Sequence, residues 1–152
     1  MRRELADGFE LDDDRARVDV DAVHAFISRE SYWGVGRPRE VVERTISGST
    51  RVMGVYRGQR QVGFARAVSD RATVAYLADV YVLAAYRGRG LGLALVREIV
   101  DGGKGSSGGI PPEVRWLLHT ADAQALYAKL GFSDDPPAYP LMERGRSSLP
   151  RP

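Results

Sequence analysis

An anion-binding loop is predicted by six consecutive residues: Arg87, Gly88, Arg89, Gly90, Leu91 and Gly92. An apolar run rich in β-formers precedes this loop at 75–83, and a run with a helical pattern follows it at 91–100. A glycine loop between a strand and a helix directs several backbone N–H groups toward one point, at the positive end of the helix dipole. Phosphate is the usual anion at such a site. A glycine-rich turn with a purely structural role is the alternative.

Two familiar phosphate-binding motifs do not fit this loop. A P-loop requires Gly-Lys-Ser/Thr at its end, whereas Gly92 is followed by Leu93. A dinucleotide fingerprint requires the spacing G-x-G-x-x-G, whereas the third glycine comes one residue early here. The pattern that remains is Arg-x-x-Gly-x-Gly after a strand that ends in Val-Tyr-Val.

A second stretch has the pattern of a short strand and a helix. The apolar run Trp116–Leu118 predicts the strand, and Thr120 and Gly131 are the predicted N-cap and stop of the helix. Spacings of three and four place four apolar side chains on one face of this helix: Ala123, Leu126, Tyr127 and Leu130.

The two patterns together resemble a known family. Arg-x-x-Gly-x-Gly and Leu-Tyr-x-Lys-x-Gly-Phe, in this order, resemble the signatures of the GNAT acetyltransferase superfamily, over about Thr50 to Phe132. Ser31–Trp33 followed by Arg37-Pro38 is also similar to an uncharacterised acetyltransferase-like group. The resemblance implies an α/β GNAT fold, with a mixed, mostly antiparallel sheet of six or seven strands flanked by helices on both faces. It further implies transfer of an acetyl group from acetyl-CoA to an amine in a ternary complex.

The resemblance also assigns residues to the acetyl-CoA cosubstrate. The glycine loop would hold the pyrophosphate, and the backbone of the preceding strand would face the pantetheine arm and the thioester. The resemblance also assigns cofactor contacts to five residues outside the loop: Val80, Tyr81, Val82, Thr120 and Tyr127. The family often has Asn where Thr120 stands. Tyr127 would be the general acid for the leaving thiolate, and the alternative is that its ring only fills a helix–sheet interface.

The residues that act on the acceptor amine are less defined. Asp79, on the central strand, is a candidate general base if its pKa is raised, and a structural hydrogen-bonding role is the alternative. His24 and His119 are rival bases. By resemblance, the connection carrying Tyr32, Trp33 and Arg37 borders the acceptor pocket together with His24. Tyr32 and Trp33 would otherwise pack on the core. A small molecule or a peptide amine would be the acceptor.

Composition limits the other function classes. The 152 residues are 43% hydrophobic, which predicts one domain over 1–152, and the absence of cysteine excludes disulfides and a cysteine acyl-enzyme. The start of the chain has no signal-peptide pattern and no apolar run could span a bilayer, so we expect a cytoplasmic protein without membrane contact. The net charge is only +2 and the basic residues are scattered, so no nucleic-acid partner is predicted. No metal site is expected, and a homodimer is common in the family.

The remaining elements follow in chain order. Phe9–Leu11 predicts an edge strand, and helices are predicted from Asp19 to Arg29 and from Pro38 to Gly48. A three-strand antiparallel meander is expected at 51–56, 61–68 and 73–83, with the strand at 116–118 parallel to its last member. A flexible loop is expected at 102–109, a last strand at 139–143 and a frayed tail at 144–152.

Two alternative functions remain for a chain with this fold. One is a non-catalytic acyl-CoA sensor, and the other is an interaction module.

Overall fold

The computed structural model describes residues 1–102 and 109–145. Within these ranges, six strands form one sheet in chain order: β1 (Arg2–Glu4), β2 (Phe9–Asp12), β3 (Arg51–Arg57), β4 (Arg60–Ser69), β5 (Val74–Val82) and β6 (Arg115–Leu117). Four α-helices accompany the sheet: α1 (Val20–Arg29), α2 (Arg39–Gly48), α3 (Leu91–Asp101) and α4 (Gln124–Ala128). The first five strands are antiparallel and β6 is parallel to β5, which confirms the predicted mixed, mostly antiparallel α/β sheet.

The sheet separates two apolar clusters. The larger cluster packs α3 and Tyr127 of α4 against one face, with Leu95 and Ile99 fully buried. The smaller cluster packs Ile27 of α1 and Val42 of α2 against the other face. Each fully buried aliphatic side chain of this kind contributes about 1.5–3 kcal/mol to folding. Helices therefore cover both faces, as the sequence predicts.

The two helices on the second face begin and end as expected. Asp19 is the N-cap of α1, and its carboxylate accepts a hydrogen bond from the N–H of Ala22 at 2.9 Å. Pro38 precedes α2, and this helix ends at Gly48. The connection between α1 and α2, which carries Tyr32, Trp33 and Arg37, is thereby fixed at both ends against the sheet.

A β-bulge in β5 determines which side chains reach each face. Phe64 pairs with Tyr81 and Arg66 pairs with Ala78, so two β5 residues oppose a single β4 residue. One of the two, Asp79, has a left-handed φ of 52°, a conformation that Asp tolerates better than most residues. The bulge shifts the alternation of the strand by one residue. Asp79 consequently lies on the α1–α2 face instead of joining the α3 core.

The pairing between β5 and β6 is short. It covers Val74–Tyr76 of β5 and Arg115–Leu117 of β6. In the described part of the chain, β5 has no strand neighbour on this side from Leu77 onward. The two parallel strands therefore diverge and leave the backbone edge of the second half of β5 open.

The prediction of Phe9–Leu11 as an edge strand was wrong, because β1 lies outside it. The sequence of β1 is polar and shows no apolar alternation. It is held by the ladder with β2 and by ion pairs from Arg2 to Glu10 and from Arg3 to the buried Glu98 of α3.

Two predictions near the carboxyl end were also wrong. The last helix begins at Gln124, with Ala123 as N-cap, and Thr120 instead accepts the N–H of Ala123 within the preceding turn. Residues 139–143 form no strand, since Pro140 lacks an N–H and interrupts any ladder. Gly131 does follow the helix with a left-handed φ of 85°, as predicted. The predicted flexible loop and frayed tail lie largely outside the described residues.

Candidate active site

The glycine loop presents unpaired N–H groups at the start of α3. Gly88 and Gly90 adopt left-handed φ angles of 76° and 74°, and a Cβ added to either would meet no atom within 4 Å. Gly90 is the N-cap, and its carbonyl accepts the N–H of Ala94 at 3.0 Å. The three N–H groups at positions 91–93 therefore have no partner within the helix. Open space, glycine conformation and free donors together suit a bound phosphate.

This loop borders a cavity of about 650 Å³, which we call the glycine-loop cavity. Its wall includes most of the residues predicted to bind the cofactor: Val80, Tyr81, Val82, Arg87, Gly88, Gly90, Leu91, Gly92 and Tyr127. Arg89 is exposed and does not line this cavity, and Thr120 lies in the wall of neighbouring cavities. Lys129 lines it as well, a contribution that sequence reasoning missed although Lys129 is part of the second signature.

The strand β5 contributes Val80, Tyr81 and Val82 to the wall of this cavity. The ring of Tyr81 stacks on Phe26, which also lines the cavity, with centroids 3.9 Å apart, and it belongs to the smaller core. The carbonyl of Val82 accepts a hydrogen bond from Nε of Arg87 at 2.9 Å. This bond holds Arg87 through Nε, and its two terminal nitrogens make no hydrogen bond to the described residues.

Tyr127 lies where the glycine-loop cavity meets a second cavity. Its ring contacts Phe132 edge to face with centroids 5.8 Å apart, and its hydroxyl makes no hydrogen bond to any described residue. Burial, with smaller contributions from Tyr32 and the charge of Asp122, raises the pKa of Tyr127 to about 12. The hydroxyl is therefore protonated at neutral pH and available as a donor.

The second cavity has a volume of about 310 Å³, and we call it the arginine cavity because Arg37 and Arg66 line it. It shares six wall residues with the glycine-loop cavity: Tyr32, Trp33, Val80, Asp122, Ala123 and Tyr127. Tyr32 connects its two sides, because its hydroxyl accepts the N–H of Ala121 at 2.8 Å. Two ligands bound in the two cavities would meet beside Tyr127.

Asp79 lines the arginine cavity and accepts hydrogen bonds from three side chains. Trp33 donates its indole N–H to Asp79 at 2.9 Å, Arg37 donates to both carboxylate oxygens at 3.0 and 2.9 Å, and Arg66 donates at 2.7 Å. Burial by itself raises the pKa of Asp79, but the guanidinium groups of Arg66 and Arg37 outweigh it, so the pKa lies below its ordinary value. The raised pKa on which the role of Asp79 as general base depends is therefore not found. The geometry instead favours the structural role, in which Asp79 positions Trp33 and Arg37.

The two histidines are placed differently. His24 bonds through Nε2 to the carbonyl of Arg37 at 3.1 Å and lines neither cavity, so it supports the connection instead of contacting an acceptor. His119 lines the arginine cavity, with Nδ1 2.6 Å from the hydroxyl of Tyr76 and Nε2 3.2 Å from the carboxylate of Glu143. Of the two histidines, only His119 thus lines the arginine cavity.

Comparisons with known proteins agree with this fold. Residues 12–132 match the model of the acetyltransferase (GNAT) family, and the chain therefore belongs to that family. It is 29% identical over 144 residues to Putative acetyltransferase FG08082 of Gibberella zeae, covering 80% of this chain and 77% of that protein. A crystal structure titled as a putative acetyltransferase of the GNAT family, from Xanthomonas campestris pv. campestris, is 36% identical to this chain and superposes with a TM-score of 0.80. The match covers 93% of this chain and 95% of the other. A Deinococcus radiodurans structure, 18% identical over 95% of this chain and 93% of its own, shares the fold at a TM-score of 0.70.

Two further observations concern ions and membranes. Across residues 1–102 and 109–145, no three side chains from His, Cys, Asp and Glu form a group that could hold a metal ion. No helix in those same ranges has both the length and the apolar character needed to cross a bilayer.

Proposed function

We propose that this protein is an N-acetyltransferase that transfers the acetyl group of acetyl-CoA directly to an amine. The observation that carries the proposal is the position of the Tyr127 hydroxyl, unpaired among the described residues, at the junction of the two cavities. The glycine-loop cavity would hold acetyl-CoA and the arginine cavity would hold the acceptor. Holding both reactants in one complex converts a bimolecular reaction into a local one.

The residues around the glycine loop fit a coenzyme A pyrophosphate. The N–H groups at 91–93 supply donors at the positive end of α3, and Arg87 and Lys129 supply positive charge in the same wall. The left-handed glycines at 88 and 90 let the backbone approach the phosphates without a side chain between.

Bound acetyl-CoA supplies an activated acetyl group as a thioester. The open edge of β5 begins at Leu77 and passes Val80, which lines both cavities. A backbone N–H on this edge would polarise the thioester carbonyl. The amine nitrogen forms a bond to the carbonyl carbon, the carbon–sulfur bond breaks, and the Tyr127 hydroxyl protonates the departing thiolate.

The amine must lose a proton before or during its attack. Asp79 is a weak base here, because its two arginine partners stabilise the ionised form. His119 lies between Tyr76 and Glu143, so a proton can pass from the amine through the Tyr76 hydroxyl to the imidazole, with Glu143 stabilising the resulting cation. His119→Gln should then lower kcat/KM, and an unchanged kcat/KM in this variant would exclude this route.

The proposal is tested first by ligand binding and then by turnover. Acetyl-CoA should raise the melting temperature by mass action, whereas ATP and NAD should not, because the glycine spacing fits neither nucleotide motif. Thiol release should follow when a panel of amines is added. A thermal shift with acetyl-CoA but no turnover with any amine would indicate a non-catalytic acyl-CoA sensor. No shift at millimolar acetyl-CoA would indicate an interaction module that does not bind the cofactor.

A further inference from the structure

The wall of the arginine cavity contains one cluster of charged side chains with a net positive charge, and among the described residues Asp122 and Glu143, which also line the cavity, form no ion pair with its arginines. Arg37 and Arg66 share a single carboxylate, that of Asp79, whose side chain is only 4% exposed. The two arginine side chains retain 20% and 15% exposure. This cluster of two arginines and one aspartate therefore carries one uncompensated positive charge beside the cavity.

Several guanidinium donors in this wall have no acceptor. Arg37 uses only Nη1 for Asp79, and Arg66 uses Nε for Asp79 and Nη1 for Ser49. Within residues 1–102 and 109–145, Nε and Nη2 of Arg37 and Nη2 of Arg66 donate to no protein group. Guanidinium nitrogens that are already held in place by a buried carboxylate are well suited to bind a second carboxylate.

The opposite part of the cavity is suited to an amine. Asp122 lines both cavities, and its negative charge is the smallest of the three causes that raise the pKa of the Tyr127 hydroxyl, after burial and Tyr32. An ammonium group approaching the reaction position would be attracted by this carboxylate. The cavity of about 310 Å³ is at the lower end of the range for small-molecule sites, which suits a compact ligand.

We propose that the acceptor is a small zwitterion of the amino-acid type, whose carboxylate binds Arg37 and Arg66 while its amine lies beside Asp122 and Tyr127. This inference rests on the proposed acetyl transfer and names the substrate class of the same site. A carboxylate matches the single excess charge of the cluster of two arginines and one aspartate. A phosphate dianion would exceed it, with Asp122 and Glu143 adding repulsion.

The test compares ligands that differ only in the anionic group. L-amino acids, their carboxamides, the corresponding decarboxylated amines and phosphoethanolamine are assayed by acetyl-CoA-dependent thiol release. Binding of N-acetylated amino acids and their carboxamides to the CoA-loaded protein is measured by calorimetry, which decides the question even without turnover. We expect carboxylates to be preferred by about tenfold or more in either measurement, since the carboxamide leaves a charged donor without its anion.

Variants show whether the arginines cause the preference. Arg37→Gln removes the excess charge, so the ratio between carboxylate and carboxamide should fall close to one. The ratio is independent of the folded fraction of the variant. The matched control is Arg39→Gln, which alters an exposed arginine paired with Asp21 and Glu43 and should keep the wild-type ratio.

Three results would overturn the proposal of a zwitterionic acceptor. They are equal use of carboxamides, a preference for uncharged or phosphorylated amines, and undetectable binding of carboxylates at tens of millimolar. Rapid turnover of uncharged amines would refute this acceptor class while leaving acetyl transfer intact. Failure to bind CoA would instead refute the proposed function.

Discussion

The two cavities are built in different ways. The glycine-loop cavity takes its anion-binding donors from the backbone of consecutive residues, 87–92, at the start of one helix. The arginine cavity takes charged side chains from separate parts of the chain, Arg37, Arg66 and Asp79. A site of the first kind is complete once a strand, a loop and a helix have formed. A site of the second kind exists only when the β4–β5 hairpin and the connection between α1 and α2 have packed together.

This difference predicts how mutations should act. The cofactor side depends on dipoles and open space, so a change there should alter CoA affinity with little effect on folding. The acceptor side depends on a buried ion-pair network, so a change there should alter stability and acceptor choice together. Tyr127 belongs to both cavities and should affect the chemical step alone.

The largest effect is expected for Tyr127→Phe. The ring contact with Phe132 is kept and only the hydroxyl is lost, so stability and CoA affinity should change little. General acids contribute about a hundred- to ten-thousand-fold, and kcat should fall within that range. Steady-state kinetics with an acceptor found in the panel, and CoA calorimetry, make the comparison. Tyr139→Phe, at an exposed tyrosine, is the control, and a wild-type kcat in Tyr127→Phe would remove this residue from the mechanism.

A smaller effect is expected for Gly90→Asp. A side chain with a negative charge would enter the open space at the start of α3 and repel phosphate, so CoA affinity should fall on the order of a hundredfold, or about 2.7 kcal/mol. The matched control is Gly58→Asp. Gly58 also has a left-handed φ, of 59°, and open space, but lies in the β3–β4 turn away from both cavities. Equal CoA affinities in the two variants, measured by calorimetry, would contradict the role of the loop.

Asp79→Asn should mainly change stability. Asn tolerates the left-handed backbone, so the change removes the charge without new strain. We expect a loss of about 2 kcal/mol at pH 7, below the range for fully buried pairs because Arg37 and Arg66 keep some solvent contact. Urea denaturation measures this difference.

The pH dependence of that difference follows from the lowered pKa of Asp79. Its stabilising contribution is complete above the unfolded pKa of about 3.9 and is lost as pH falls through the lower folded value. The difference in the free energy of unfolding between wild type and Asp79→Asn should therefore shrink below about pH 4. If this difference in the free energy of unfolding is constant with pH, or is absent at pH 7, the network does not depend on the charge of Asp79.

The sequence predicted the features that depend on neighbouring residues. The glycine loop, the start of α3, the cap at Asp19 and the antiparallel hairpins each follow from local spacing and turn chemistry, and the structure contains them. The family, too, was evident from two short motifs. The polar strand β1 was missed because its pairing depends on β2 and on the distant Glu98.

The acceptor side could not be predicted in the same way. Regular alternation along β5 places Asp79 with Ala75 and Leu77 on the α3 face, and only the bulge moves it to the opposite face. Arg66 was overlooked because its position opposite Ala78 depends on the register of the hairpin. Without Arg66 and Arg37 in contact with the carboxylate, burial alone predicts a raised pKa, which is the wrong direction.

The most direct test of direct acetyl transfer between the two cavities is to follow the acetyl group itself. Acetyl-CoA labelled with carbon-13 in the acetyl group is incubated with the protein and an amine acceptor, and small molecules and intact protein are analysed by mass spectrometry. The expected result is label in the N-acetylated amine, in amounts equal to the CoA released, with none on the protein. Label found only as acetate, or bound to the protein as an intermediate, would contradict direct transfer beside Tyr127.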